Sequence, residues 1–157
     1  MKLFKYLLVL LISTSVTQFS FAQNNPTITK VTKFKPPVVT SFLGVNKNGA
    51  TVTVDEAVQL ITLPLKIKDD KGNEYPIDSY QFLYRKKGGI QDEQTGKVTV
   101  TFTVESARFT STPLPKIWID NLKNGFQKDE QLYFFDIVVK DKEGRRFFAP
   151  ELKIMIQ

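Results

Sequence analysis

The chain has 157 residues, which gives room for one ordinary domain, or two very small ones, and for a hydrophobic core that can stand alone. Hydrophobic residues make up 41% and aromatic residues 12% of the chain, which excludes disorder as the default state and leaves thirteen phenylalanines that need a core. The formal net charge is a mild +6, and the absence of cysteine and histidine excludes disulfides, thiolate and imidazole metal sites, and histidine-assisted nucleophiles.

The N-terminus has the features of a secretory signal peptide. Lys2 and Lys5 precede a short apolar run, and residues 20–22 (Ser-Phe-Ala) place small side chains at both positions that a signal peptidase recognises. A membrane anchor is the alternative, but the apolar run is well short of the roughly 20 residues that span a bilayer. We therefore predict cleavage before Gln23, which removes residues 1–22 and leaves a periplasmic or secreted chain without a membrane anchor.

The charge of the predicted mature chain restricts its partners. Removal of the signal peptide takes away two lysines and no acid, so the formal charge falls by two. The remaining basic residues are spread over predicted strand faces and turns, which is typical of a solubilising surface. Because export separates the chain from nucleic acid, we expect no nucleic-acid partner, and an acidic glycan or an acidic protein is the better candidate.

The region after the signal peptide divides into a linker and a module. Residues 23–37 are polar and end in Lys35-Pro36-Pro37, which is typical of a linker that leads into a fold. Over residues 38–157 the dominant hydrophobic period is two, which predicts strands with one buried face. The clearest alternating runs are Val52-Val54, Tyr80-Phe82-Tyr84, Val98-Val100-Phe102-Val104 and Leu152-Ile154-Ile156.

Regular turn signals predict an all-β fold with one exception. Glycine-containing dipeptides separate the runs, so we predict a sandwich, or a pair of packed sheets, of short antiparallel strands with hairpins. Leu114, Trp118 and Leu122 fall at helical spacing before Asn124-Gly125, which predicts a short helix near residues 114–123. The isoleucines on either side of Trp118 would also allow a strand.

An ungapped internal repeat with an offset of 72 residues relates two predicted hairpins. Eight positions of residues 59–75 recur as the same or a similar residue in residues 131–147. A separate echo, with an offset of 38, relates residues 39–42 to 77–80. We place the two repeat units at residues 38–77 and 77–157. Chance similarity between hairpins with the same turn chemistry is the alternative, and it predicts the same hairpins. The residues expected to line the buried faces are Ile61, Leu63, Leu65 and Ile67 in the first copy, and Tyr133, Phe135, Ile137 and Val139 in the second.

Several segments of the module together carry a resemblance to a known family. The segments are Tyr75–Tyr80, Asn121–Gly125, Phe135–Lys140, Gly144–Phe147 and Pro150–Ile154. Over about residues 38–157 the chain resembles the C-terminal periplasmic domain of GldM, called PorM in non-gliding relatives, a protein of gliding motility and type IX secretion. The resemblance implies an immunoglobulin-like β-domain of a Bacteroidota-type envelope that binds a periplasmic protein partner and has no catalytic residues.

The front of the chain departs from that family. GldM has an uncleaved transmembrane helix and several domains in series, whereas here a signal peptide leads almost directly into one module. The resemblance therefore extends to the role of binding a partner and not to coupling with an inner-membrane motor.

With histidine and cysteine absent, the carboxylates are the main candidates for catalytic or metal-ligating groups. Four acidic pairs could form a glycosidase pair or a calcium site. Each pair lies in or beside a predicted turn, where acids cap backbone amides, so we favour a structural role and expect no enzyme activity, no metal and no cofactor. The pairs are Asp69-Asp70, Asp92-Glu93, Asp129-Glu130 and Asp141 with Glu143.

The second predicted hairpin supplies the candidate partner interface. It is apolar on both faces, and neighbouring aromatics cannot all lie on its inner face by alternation. If these aromatics are exposed, they form an apolar patch with arginines at its rim; the alternative is that the helix or the N-terminal half covers them. The predicted interface consists of Phe126, Phe134, Arg145, Arg146 and Phe148.

Three classes of function remain open. The leading one is a non-enzymatic protein-interaction or assembly module with an envelope protein as partner. A secreted glycan-binding sandwich is the second, although it would need a row of exposed Trp or Tyr and Trp118 is the only tryptophan. A carboxylate hydrolase is the third, and it needs two acids that converge in a cleft. The sequence leaves the partner's identity, and whether the chain forms a homo-oligomer, open.

Overall fold

The structure is a computed structural model that describes residues 33–157. The predicted signal peptide and most of the predicted linker lie outside these residues. The described chain is mostly β, as predicted, and it contains two helices. The elements are β1 (Val39–Leu43), β2 (Ala50–Val52), α1 (Val54–Leu60), β3 (Leu65–Asp69), β4 (Ile77–Gln91), β5 (Val98–Phe109), α2 (Lys116–Lys123), β6 (Gln131–Lys140), β7 (Arg146–Ala149) and β8 (Leu152–Ile156).

The strands form two sheets in a sandwich-like arrangement. β1 and β3 make a two-stranded antiparallel sheet. The six-stranded sheet has the order β2-β8-β6-β4-β5, and β7 pairs with β6 beyond the end of the β6–β8 ladder. Among the described strands, every pairing is antiparallel except the short parallel ladder between β2 and β8. The all-β prediction is therefore confirmed, although β4 and β5 are longer than the short strands that we expected.

The core lies between the two sheets. The buried face of the two-stranded sheet meets the inner face of the six-stranded sheet, and the hydroxyl of Ser41 donates a hydrogen bond to the carbonyl oxygen of Pro150, between β7 and β8. Each fully buried aliphatic or aromatic side chain stabilises the fold by about 1.5–3 kcal/mol. The largest fully buried side chains are Leu43, Ile61, Ile67, Tyr80, Phe82, Tyr84, Leu122, Leu132, Phe134, Ile137, Leu152 and Ile154.

Helix α2 confirms the predicted helix and explains the position of the single tryptophan. Leu122 is buried, and the ring of Trp118 meets the rings of Phe82 and Phe109 edge to face, with centroids 5.9 and 5.4 Å away. The helix thus closes one part of the aromatic core. Neither helix in the described part of the chain has the length and hydrophobicity that a bilayer crossing would require.

Helix α1 was not predicted, and it overturns the strand expected through Val54. Thr53 accepts a hydrogen bond from the backbone N–H of Glu56, and the carboxylate of Glu56 accepts one from the backbone N–H of Thr53. This reciprocal capping box begins a helix directly after β2. The sequence contains both signals: Thr53-x-x-Glu56 is typical of a helix start, whereas the alternation of threonine and valine over residues 51–54 predicts a strand.

The same helix shortens the first predicted hairpin. Leu65 and Ile67 lie on β3 and are buried, as expected. Ile61 is buried as the C-terminal cap of α1 and not as a strand residue, and Leu63 is 40% exposed in the connection to β3. The first residues of the repeat are therefore the end of α1 in one copy and the start of β6 in the other. The two copies have equivalent structure only from β3 onward.

The turns of the two repeat copies have the same geometry. Asp69 Oδ1 accepts the N–H groups of residues 71 and 73, and Asp141 Oδ1 accepts those of residues 143 and 145. Gly72 and Gly144 have φ values of +82° and +79°, a region that favours glycine. Both hairpin turns that the repeat predicts are therefore present, and the equivalent rings of Tyr75 and Phe147 meet edge to face at 5.5 Å.

Candidate interaction surface

Phe134 is buried in the core, so the expectation that it is exposed was wrong. The side chain is 2% exposed, and its ring lies 4.9 Å from the Phe82 centroid and 5.9 Å from the Tyr80 centroid. The reason is an irregularity in β6, where Asp136 has a φ of +47° and the register with β4 shifts. One additional residue at a bulge exchanges the faces of the strand on one side of it.

The bulge reverses the predicted faces of the N-terminal half of β6. Leu132 and Phe134 point inward, whereas Tyr133 and Phe135, which we predicted to be inward, stack on each other at 4.9 Å on the outer face. Beyond Asp136, the predicted phase is right: Ile137 and Val139 are buried. Strict alternation cannot reproduce both halves of this strand.

Phe126 is also buried, which corrects a second interface prediction. It is 8% exposed, and its ring meets the inward-facing ring of Tyr84 edge to face at 5.5 Å. The segment between α2 and β6 thus covers the inner face of β4. In the described chain this aromatic residue contributes to the core and not to an exposed patch.

Phe148, Arg146 and Arg145 remain on the surface. Phe148 is 73% exposed on β7, opposite Val138 of β6. Arg146 lies two residues before Phe148 on the same face of β7, and its Nε is 2.8 Å from a carboxylate oxygen of Asp78. Arg145 lies in the preceding turn, where its guanidinium pairs with Asp141 at 2.6 Å. Of the predicted interface residues, the structure therefore brings Phe148 and Arg146 together on one face.

Phe148 belongs to a shallow depression on the outer face of the six-stranded sheet. The depression has a volume of about 250 Å³, and Gln81 Nε2 donates to Asp136 Oδ2 at 2.9 Å within it. We refer to this surface as the outer-face patch, and it is lined by Gln81, Arg108, Asp136, Val138 and Phe148.

The edge of the outer-face patch is rich in cations. Lys140 and Arg146 both pair with the single carboxylate of Asp78. The hydrogen bond from Lys140, aided by the charge of Arg146, holds the pKa of Asp78 below its usual value despite partial desolvation. Arg108 adds a further positive charge and donates to the hydroxyl of Ser79 at 2.8 Å. The combination can accept an apolar group with a negatively charged surround.

The second exposed feature is a hairpin that extends beyond the body of the sheet. The β4–β6 ladder ends where Arg85 faces Gln131, and past this point β4 pairs only with β5. We call residues 86–104 the arm. Its apolar stripe is between 38% and 61% exposed, and it consists of Val98, Val100, Phe102 and Val104.

The exposure of this stripe overturns the expectation of a buried face on β5. Alternation correctly predicted the strand, but no described layer covers the arm. Arg85 partly shields the stripe, since its guanidinium carbon lies 3.5 Å from the centroid of the Phe102 ring. An exposed apolar strand of this length is unusual on a monomer and marks a contact surface or an aggregation risk.

A buried carboxylate holds the base of the arm. Glu130 is completely buried, and it accepts hydrogen bonds from the hydroxyl of Tyr84 and from the backbone N–H groups of Lys87 and Gln127, both at 2.8 Å. Burial, reinforced by the hydrogen bond to Glu130, raises the pKa of Tyr84. Lys87 Nζ also pairs with Asp129 at 2.7 Å. These contacts fix the point beyond which β4 pairs only with β5.

Sequence reasoning missed this role of Glu130. The Asp129-Glu130 pair was expected to be solvated in a turn, and its local sequence contains nothing that separates the buried acid from its exposed neighbour. The other acidic turns behave as expected: Asp69, Asp92 and Asp141 each accept backbone N–H groups within their own turn. Within residues 33–157, no three acids gather closely enough to bind a metal ion.

A groove lies on the outer side of the two-stranded sheet. Its volume is about 580 Å³, and exposed Val45 and Leu63 give it an apolar wall. Two lysines on its rim, Lys66 and Lys68, both pair with Glu74 at 3.3 and 3.0 Å, so their charge is partly compensated. The groove offers apolar contact without converging catalytic groups.

Fold and surface together define the described chain as an all-β, two-sheet domain with an uncovered outer face and a projecting hairpin. No family model matches the chain, and no curated protein matches it either.

Proposed function

We propose that this chain is a non-enzymatic protein-interaction or assembly module of the cell envelope, periplasmic or secreted after removal of its signal peptide. The observation that carries the proposal is the exposure of Phe148 beside Arg146 on a sheet face that no described layer covers. We further propose that the module resembles the C-terminal domain of GldM and acts in gliding motility or type IX secretion.

The chemistry of the outer-face patch supports a protein partner. Covering a largely exposed aromatic ring with a partner pocket removes apolar surface from water and stabilises the complex, and such rings are frequent binding hot spots. Cations at the rim, Arg108 and Arg146 among them, favour carboxylates around that pocket and speed association. We therefore propose a partner with an apolar cavity bordered by Asp or Glu.

The glycan-binding alternative has less support. Carbohydrate sites in β-sandwiches commonly present flat aromatic rings to solvent, and the single tryptophan here is held by Phe82 and Phe109. A hydrolase is also less favoured, because the acids of three turns are occupied as backbone acceptors.

Capture of partners from an envelope extract tests the proposal. Tagged mature protein should retain a partner that Phe148→Ala loses, because the substitution removes the exposed ring without disturbing the core. Ile117→Ala is the matched control, since Ile117 is a similarly exposed apolar residue, 69% exposed, on α2. Equal capture by wild type and Phe148→Ala would contradict the proposed site, and turnover of glycoside, ester or peptide substrates would contradict the non-enzymatic assignment.

A further inference from the structure

The outer edge of β5 is unprotected among the described strands. β5 is the last strand of the six-stranded sheet, and its twelve-residue ladder with β4 continues without a register shift. Native edge strands usually carry a lysine, a proline or a bulge that blocks pairing with another chain. The segment from Val98 to Val104 has none of these, and no described strand pairs with its outer edge, so a row of backbone donors and acceptors is open to a further strand.

We propose that β5 pairs antiparallel with β5 of a second copy of this chain, about a two-fold axis at Thr101. In this register each chain presents the same surface to the other, as an isologous dimer requires. Valine faces valine across the axis, and the aromatic side chain faces a valine. The cross-strand pairs are Lys97 with Glu105, Val98 with Val104, Thr99 with Thr103, Val100 with Phe102, and Thr101 with its own copy.

Charge complementarity selects this register over its neighbours. Along an edge strand, only every second residue directs its backbone N–H and C=O groups away from the sheet. These residues must face each other in the two copies, so the register can change only in steps of two residues. A step in one direction places Lys97 opposite Thr103, and a step in the other places it opposite Ala107. Residues 98–104 are uncharged, and only the proposed register places a Lys–Glu pair at both ends of this segment. Opposite charges at facing positions stabilise strand pairing.

The proposed contact is long and narrow. Nine residues, Lys97 to Glu105, give about 30 Å of continuous edge at roughly 3.4 Å per residue. An interface of this kind buries less than the roughly 800 Å² per partner of a standard stable complex. We therefore expect a dissociation constant on the order of micromolar.

Dimerisation would change how the outer face meets a partner. A two-fold axis perpendicular to the joined sheet keeps equivalent faces on the same side, so both outer-face patches would face one direction. The dimer is thus bivalent, and a partner with two sites would bind it with greater avidity than the monomer. This inference does not depend on the proposed function, because the pairing rests on β5 and the adjoining Lys97.

Charge exchange at the strand ends tests the dimer and its register together. Sedimentation velocity of the mature chain should show a reversible monomer–dimer equilibrium. Lys97→Glu and Glu105→Lys should each weaken it about tenfold or more, because each converts two attractive pairs into two repulsive ones. The double variant Lys97→Glu with Glu105→Lys should restore it to near the wild-type value. Lys71→Glu, the same charge change on an exposed turn away from β5, should have little effect.

A single introduced cysteine provides an independent readout, since the chain has none of its own. Thr101→Cys places two thiols opposite each other at the axis and should form a disulfide-linked dimer under mild oxidation. Thr99→Cys lies on the same face but four strand positions from its own copy, so it should cross-link poorly. A chain that stays monomeric at all accessible concentrations would overturn the proposal, and so would a dimer in which the charge exchange or the Thr101→Cys cross-link fails.

Discussion

At the level of single residues, the backbone conformation of Asp136 decides which side of β6 reaches the core. Its φ of +47° accompanies the bulge that turns Leu132 and Phe134 inward. Phe148, on a strand without such an irregularity, stays on the outer face and is exposed. Phe134 therefore packs in the core, whereas Phe148, fourteen residues later, lies on the surface.

These roles predict different costs on truncation. Phe134→Ala removes a ring that packs against Phe82 and Tyr80, and it should lower the free energy of unfolding by about 3–5 kcal/mol. Phe148→Ala should change it by no more than about 0.5 kcal/mol, because the ring is mostly in water. Urea unfolding of both variants measures the difference. Similar costs for the two would show that Phe148 packs in solution or that Phe134 does not.

At the level of elements, the two repeated turns show how an aspartate closes a hairpin. The carboxylate of Asp69 accepts hydrogen bonds from the side chain and backbone N–H of Asn73, which lowers its pKa. Partial desolvation raises the pKa of Asp141, but hydrogen bonds from Arg145 outweigh it and the net shift is also downward. In both turns the folded chain prefers the charged aspartate more than the unfolded chain does.

A lowered pKa in the folded state makes stability depend on pH in one direction. The contribution is complete above the unfolded pKa of about 3.9 and is lost as the pH falls through the lower folded pKa. Wild-type stability should therefore decline below about pH 4, and the decline should be shallower in Asp69→Asn with Asp141→Asn, which keeps acceptors but removes the titration. Urea midpoints between about pH 2 and 5, with carboxyl titration by NMR, measure this. An unchanged slope in the double variant would contradict the assignment.

The arm shows that an element can follow its local pattern and still lack the expected environment. β5 alternates valine and threonine as a half-buried strand does, and it does form a strand. No layer among the described residues covers this part of the sheet, however, so the valines of the arm are exposed.

At the level of the whole molecule, one layer of the described sandwich is much smaller than the other. The two-stranded sheet, with helices α1 and α2 and the segment after α2, contributes to covering the inner face of the six-stranded sheet. The outer face has no described layer, and it carries the outer-face patch. A domain of this shape can stabilise itself through one face and bind through the other.

The predicted location of the chain depends on its N-terminal residues. We expect the chain to be cut before Gln23, because Lys2, Lys5 and the Ser20-Phe21-Ala22 site fit a signal peptidase substrate. N-terminal sequencing of protein from the periplasmic or secreted fraction should therefore read Gln-Asn-Asn-Pro. Recovery of the chain with Met1 intact in the membrane fraction would contradict this, and replacement of Ala22 by Arg should block cleavage.

Local sequence patterns predicted most of the strands, the two repeated turns and the helix near residues 114–123, because alternation, Asp-x-x-Gly turns and helical spacing act over a few neighbouring residues. The same alternation wrongly predicted a strand where helix α1 begins. Tertiary structure decided which faces are covered. Tyr80 and Val100 both lie on alternating strands, yet Tyr80 is buried and Val100 is exposed, because only Tyr80 lies under a second layer. The bulge at Asp136 and the burial of Glu130 likewise depend on residues distant in sequence, Ser79 and Tyr84 respectively. A local sequence pattern cannot predict such distant partners.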